Sequence, residues 1–406
     1  MEMWAYVLRR TLLVIPVVLG VMTILFLMIN TIPVPSRIES FYPPSRSGIQ
    51  PWDPTEPCVG NVSAQCPNPL YQQAVASLGL NKPLPVQWAL YIEKSLLFQW
   101  GYTNNFSSVV NLYPSLRDQP VTQVLSWFLP YTIELAALAL LFTIVIAMPL
   151  GRWSAVYRNR PVDHASRLMS FSGYALPTFL LGSLALYAAV VAINPSGHSP
   201  FCPGQAALND FWGSWPPAHC STILGANLNA FGYPPWLVNG FQSTPTGFPT
   251  VDSAYHGLWL LSLDTLLRIL LPALVIAYGT VAVLLRYVRN SMLEVMNLDF
   301  VRTARASGLD EGVVVRRHAG RNSMNVTITV MGLTFAGFIG GFPVIEQVFN
   351  LWGVGRILAL SLQQTNGGFD FGLIFGSTLL FTFIIVAANI IVDILYAYLD
   401  PRVRLR

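Results

Sequence analysis

Residues 300–309 read FVRTARASGL and continue as DEGVVVRRHAGRN to Asn322. Arg302 and Arg305 stand three apart, so a helix would put both guanidiniums on one face. Guanidiniums in that arrangement bind carboxylates. Gly308 suits the left-handed position that ends a helix, and Asp310 can cap a second helix by accepting from amides two or three residues on. The expected local structure is about two helical turns over 299–307, a tight turn, and a second helix leading into the next apolar run. Phe300, Val301 and Ala304 give the first helix an apolar side. Read without further context, the arginines also serve simply to hold a loop on the cytoplasmic side of a membrane.

Other chemistry is sparse. A phosphate-cradling P-loop needs Gly-Lys followed by Ser or Thr. The only lysines, Lys82 and Lys94, follow Asn81 and Glu93, so any ATP chemistry must come from another chain. His164, His198, His219, His256 and His318 lie far apart, without metal-ligand spacing, and no metal site or catalytic constellation is expected. Ionisable residues inside apolar runs are few: Glu134, Glu346 and Asp393. We assign them interfacial structural roles, Glu134 and Glu346 near the outer boundary and Asp393 near the inner one, where arginines are at hand. Asp264 and Arg268 are spaced as an i, i+4 pair at a helix start. Few deep charges argue against a secondary ion-coupled transporter or channel.

The elements that hold these residues follow from composition. Of 406 residues, 53% are hydrophobic and only 10% charged, against about a quarter charged in soluble domains. Runs of about 20 apolar residues cross a hydrocarbon core of about 30 Å, and six such runs occur: 11–32, 130–151, 168–193, 269–288, 326–348 and 371–398. Prolines and glycines within them are tolerated where neighbouring segments satisfy the freed backbone groups. The first run is too long for a signal-peptide core and lacks a small-residue cleavage site, so it is expected to remain as an anchor. The expected fold is an all-α polytopic membrane protein of six transmembrane helices with two long extracytoplasmic loop regions.

Six spans place the N-terminus, residues 152–167, residues 286–325 and the C-terminus on one face. That face holds sixteen of the 23 Lys and Arg residues, so both termini are expected in the cytoplasm of a plasma-membrane protein. The net charge of +4 therefore marks topology rather than nucleic-acid binding. The expected segments are 1–32 (cytoplasmic start and first span), 33–129 (outer loop), 130–193 (second and third spans), 194–268 (outer loop), 269–398 (fourth to sixth spans, with a cytoplasmic loop at 289–325) and 399–406 (cytoplasmic tail). Cys58, Cys66, Cys202 and Cys220 all fall in the outer loops, where disulfides persist. The pairs 58–66 and 202–220 are the nearest in sequence, but four cysteines allow three connectivities and free thiols are also possible. Both outer loops are rich in Pro, Gly, Asn and aromatics and read as irregular. Residues 83–100 have helical periodicity and are expected along the membrane surface.

The segment DFVRTARASGLDEGVVVRRHAGRN resembles the cytoplasmic signature loop of binding-protein-dependent ABC importer permeases, in the form typical of dipeptide and oligopeptide permeases. The likeness extends along most of the chain. LRRTLLVIPVVLGVMTILFLMINTIP is similar to the family's first span, LGLNKPLPVQW and QWGYTNNFS to its first outer loop, and LPYTIELAALALLFTIVIAMPLG to its second span. GYALPTFLLG is similar to the third, GGFPVIEQVFNLWGVGR to the end of the fifth, and NIIVDILYAYLDPRVR to the C-terminus. Pro33-Val34-Pro35 departs from the usual Pro-Gly-Asp, Trp352 stands where Pro is usual, and a Pro common near Val326 is absent.

The resemblance implies a non-catalytic permease subunit that pairs with a second homologous permease. Two ABC ATPase subunits or domains would bind ATP and Mg, and an extracytoplasmic solute-binding protein would deliver a peptide or, in relatives of this type, an oligosaccharide. Transport would proceed by alternating access. The signature loop would be the helix that seats in an ATPase groove, with Arg302, Thr303, Ala304, Arg305 and Gly308 in the coupling role and Phe300 and Leu309 as apolar contacts.

Overall fold

The structure is a computed structural model that describes residues 3–41, 68–104, 109, 116–193, 246–255, 257, 259–339, 342–349, 351, 353–363 and 369–399. In chain order the helices are α1 (Met3–Asn30), α2 (Val34–Phe41), α3 (Pro69–Leu78), α4 (Leu84–Leu96), α5 (Val121–Val156), α6 (Pro161–Ala175) and α7 (Thr178–Ile193). Then come α8 (Pro249–Tyr255), α9 (Trp259–Met296), α10 (Asp299–Ala306), α11 (Glu311–Val313), a π-helical turn at Val314–Ala319, α12 (Gly320–Ile339), α13 (Pro343–Val348), α14 (Val354–Ser361) and α15 (Phe371–Leu399). Among the described residues the only β pairing is an isolated bridge between Tyr102 and Pro120. The all-α expectation holds for them.

Among the described residues four helical stretches are long and apolar enough to cross a membrane: Leu8–Asn30, Val121–Val156, Thr265–Met296 and Phe371–Ile394. A fifth crossing arises if Pro161–Ala175 and Thr178–Ala189 act as one broken span. The expected third span, 168–193, is therefore no straight rod. It bends by 104° at Leu176–Pro177, because proline disfavours a helical residue before it and supplies no N–H. By contrast Pro16, Pro130, Pro149 and Pro272 lie inside continuous helices. The expected run 326–348 also divides: α12 ends at Ile339 and Pro343 opens the short α13 as its first-turn residue.

The chain separates into two compact units. One comprises Met1–Thr11, Pro130–Gly353 and Ile384–Arg406. Its mast is α9, along which three apolar clusters follow in order. Ile269, Ala273, Val275 and Ile276 pack with Leu135, Ala136, Ala139, Phe338, Ile345 and Phe349. Val281, Leu284, Leu285 and Val288 pack with Ala147. Met292 and Val295 pack with Ala155, Val301, Ala304, Val314 and Ala319. Polar pins fix the register of these helices: the hydroxyls of Thr143 and Thr280 meet at 2.9 Å, and those of Ser172 and Tyr278 are also bonded.

The second unit comprises Leu12–Leu129 and Val354–Phe383. Asn68 caps α3 by accepting from the Leu70 amide at 2.9 Å, and Gly79 ends that helix with φ of 70°. The helix expected within 83–100 is α4, opened by Pro83 and Pro85. Trp88 donates to the Thr23 hydroxyl at 3.0 Å, tying α4 to α1. Asp370 caps α15 by accepting from the Leu373 amide and also accepts from the Asn104 amide, at 3.1 and 3.0 Å.

Candidate functional site

The arginine-rich segment folds as its sequence leads one to expect, with one addition. Helix α10 covers Asp299–Ala306, with Asp299 in its first turn and Arg305 in its last, the charge order that suits a helix dipole. Ser307 and Gly308 amides donate to Thr303 and Arg305 carbonyls at 2.9 and 3.0 Å. Gly308 then takes φ of +79° with no atom within 4 Å of where a Cβ would stand. The turn thus needs glycine for its backbone alone, a left-handed conformation that L-residues adopt at a cost. Asp310 accepts from the Gly312 amide at 2.9 Å and caps the next helix. That helix is not regular: after one α turn it widens into the π turn Val314–Ala319, and the Gly320 amide reaches back to the Val315 carbonyl. A Cβ at Gly320 would lie 2.9 Å from that carbonyl oxygen, so glycine makes the wide turn possible.

The turn brings Arg305 back onto Glu311. Its Nη2 and Nε reach Oε1 and Oε2 at 2.7 and 3.0 Å, a two-pronged pair linking the end of α10 to the start of α11. Hydrogen bonds from this guanidinium, opposed by slight desolvation, hold the Glu311 carboxyl below its ordinary value. Arg302 is freer, 3.4 Å from Asp299, with both side chains largely exposed. Val301 and Ala304 turn inward and are buried against Met292, Val295, Val314 and Ala319. Phe300, Arg302, Thr303 and Leu309 are exposed. So among the residues expected to couple, Ala304 seats the helix on its own chain and Arg305 closes the turn, while the other side chains face outward.

This hairpin stands on a buried polar knot that the sequence does not announce. Asp163, fully buried, accepts from Arg289 Nε at 2.8 Å and Nη2 at 3.2 Å, and from Arg167 Nη2 at 2.8 Å. It also accepts from the Ser154 hydroxyl and the Asn159 amide at 2.8 and 2.9 Å. One carboxylate therefore joins the end of α5, the turn after it, the start of α6 and the last part of α9. Nearby, the Ser291 hydroxyl donates to the Ser323 carbonyl at 3.0 Å, tying α9 to α12. Arg167 four residues after Asp163 was a visible signal; Arg289, 126 positions away, was not.

The remaining expected residues distribute as follows. Asp393 pairs with Arg10 at 3.2 Å, the arginine partner foreseen for it. Glu346 is fully buried and accepts from the Thr132 hydroxyl at 2.9 Å, a structural contact within its unit. Glu134 is half-buried and Arg268 buried. The Asp264 side chain, and Cys58, Cys66, Cys202 and Cys220 with their pairings, lie outside the described residues.

Comparison with known proteins adds an independent line. Over 88% of its length the chain is 32% identical to a probable D,D-dipeptide transport system permease protein of Escherichia coli, 90% of which is covered. It is 27% identical to an oligopeptide transport system permease protein of Bacillus subtilis and 31% identical to a putative peptide transport system permease protein of Brucella abortus, each over 99% of both chains. Residues 147–405 match the model of the family described as binding-protein-dependent transport system inner membrane component. That match takes in the whole arginine-rich hairpin and its buried support, and the chain belongs to this family of transport permeases.

Proposed function

We propose that this chain is the permease subunit of an ATP-driven importer of peptides, coupled through residues 289–325 to ATPases carried by other chains. The carrying observation is the hairpin. Its inner side, Val301 and Ala304, is seated in the chain's own core, and its turn is closed by Gly308 and the Arg305–Glu311 pair. Phe300, Arg302, Thr303 and Leu309 are left exposed. A rigid knob of this kind transmits force because it cannot move without α9 and the end of α5, which share its core.

The fuller reading has six crossings, with the bent α6–α7 pair and α12 counted as spans. Both termini and the hairpin face the cytoplasm, and the segments between α1 and α5 and between α7 and α9 face outward. A second permease completes the pathway, an external binding protein delivers the solute, and rigid-body rocking alternates access. The names of the relatives, all dipeptide, oligopeptide or peptide permeases, favour peptide over oligosaccharide.

The test is Gly308→Asp in the assembled transporter. No atom lies within 4 Å of where its Cβ would stand, so the main cost to the chain itself is backbone strain of about 1–2 kcal/mol. Uptake and solute-stimulated ATP hydrolysis are expected to vanish while the chain still inserts. Normal uptake in that variant would refute the coupling role. Cargo is tested by challenging the cognate binding protein with peptide and oligosaccharide libraries.

A further inference from the structure

The second unit contains a cavity of about 360 Å³, within the roughly 300–1,000 Å³ range of small-ligand sites. Its walls are apolar where α1, α4 and α15 meet, with Ile29, Leu90, Phe375 and Leu379 among them, and two basic side chains, Arg37 and Lys94, also line it. The apolar wall comes from the last turn of α1 and the first three turns of α15. These helices carry the candidate spans Leu8–Asn30 and Phe371–Ile394, so one span ends and another begins at the level of the cavity. In a bilayer the ends of spans lie near the boundary between acyl chains and headgroups.

Among the described residues the charges there have no carboxylate partner. Arg37 places three N–H groups on neutral oxygens at the end of α1: Nε on Ile32 O, Nη1 on Asn30 Oδ1 and Nη2 on Asn30 O, at 2.8, 2.9 and 2.7 Å. Lys94 donates to the Ser77 carbonyl at 3.4 Å. Among the described residues neither lies within ion-pair distance of a carboxylate. Burial pulls the Lys94 ammonium below its ordinary value, against a smaller opposing effect of Glu93, and an anion beside it would favour its charged form. Beside the cavity, α4 and the residues after it expose Leu84, Leu96, Leu97 and Phe98. This is an apolar rim of the kind that lies in lipid, with Trp88 and Tyr91 on the same helix.

From this geometry we infer that the cavity is a site for an anionic phospholipid, one acyl chain entering between α1, α4 and α15 and the phosphodiester resting on Lys94 and Arg37. A bound lipid there would wedge α4 against the two spans and make the packing of this unit depend on membrane composition. The inference stands apart from the coupling proposal, since it involves neither the hairpin nor an ATPase.

The experiment uses the assembled transporter in phosphatidylcholine nanodiscs doped with phosphatidylglycerol carrying a photoreactive group on one acyl chain. Crosslinks should map to residues lining the cavity. Lys94→Gln should lower labelling there about fivefold, the effect of one basic residue at an anionic lipid surface, and Lys94→Arg should restore it. Leu90→Trp should abolish cavity labelling by filling the space, while its melting temperature stays near that of the parent chain. Labelling equal in all variants, or confined to the outer faces of the spans, would mean annular lipid only and overturn the inference. So would displacement of the probe by transported peptide, which would make the cavity a solute site.

Discussion

Asp163 and Glu311 are both carboxylates gripped by arginine, and their settings could hardly differ more. Asp163 is wholly buried and takes hydrogen bonds from two arginines, a serine and a backbone amide, with Arg289 itself only 15% exposed. Glu311 holds one arginine, and the two side chains are 55% and 38% exposed. A buried ion cluster adds little net stability when intact but is costly to break, because the groups left behind cannot recover water. An exposed pair contributes little either way. The first arrangement fixes a frame joining α5, α6 and α9. The second shapes an exposed surface turn.

The largest effect therefore belongs to the frame. Asp163→Ala would strand Arg289 and leave Ser154 and the Asn159 amide without their acceptor, at a cost of about 3–5 kcal/mol. A sharp fall in the melting temperature and in membrane yield of the full chain is expected. An Asp163→Ala protein that melts like the parent would erase the distinction between the two sites.

Next comes Arg305→Glu, which sets two carboxylates facing each other across the turn. Its cost to the fold should stay within about 1 kcal/mol, yet coupled ATP hydrolysis should be lost because the knob changes shape. The swap Arg305→Glu with Glu311→Arg separates two roles for Arg305. Recovery of uptake means it acts through the turn. Continued failure means its charge is read directly by the partner, and the contrast with Asp163 would then be one of partner contact rather than of framework and turn.

These two sites also divide what the sequence could convey. Gly308 and Asp310 have strong local preferences, so the helix, turn and cap of the hairpin were legible residue by residue. The Arg305–Glu311 pair depends on that turn folding back over six positions, a spacing that no single helix brings together. Asp163 and Arg289 meet only because α6 packs along α9, which is a tertiary fact. The same limit applies to the spans. Hydropathy located the apolar runs, but Pro177 breaks one run into α6 and α7, whereas Pro149 and Pro272 pass within continuous helices. Composition alone does not tell a proline whose neighbours absorb the lost hydrogen bond from one that ends the helix.

A smaller effect should appear in acid. Hydrogen bonds from Arg305 lower the Glu311 carboxyl from its ordinary 4.5, so the pair's contribution is complete above that value and is lost as pH falls through the lowered one. Amide exchange in residues 307–313 should be constant from neutral pH down to about 4.5 after correction for intrinsic rates, and rise below it. In Glu311→Gln the same amides should exchange at the raised level throughout. Loss of protection already near neutral pH would assign the turn's order to another group.

The smallest expected effect is at Asp299. Its pair with Arg302 is three residues apart on one helix, 3.4 Å long, and the two side chains are 96% and 70% exposed, a geometry worth about 0.2–0.5 kcal/mol. Asp299→Asn should therefore leave the melting temperature of the full chain unchanged within measurement. That insensitivity makes the variant informative. It frees the Arg302 guanidinium from Asp299 without disturbing Val301 and Ala304 beneath it. If Arg302 meets an acidic surface on the ATPase, coupling should hold or strengthen in Asp299→Asn and fall in Arg302→Gln. Equal losses in both variants would point instead to the helix dipole at the start of α10, where Asp299 supplies the first-turn negative charge, and would move the outward-facing function from Arg302 to Phe300 and Leu309.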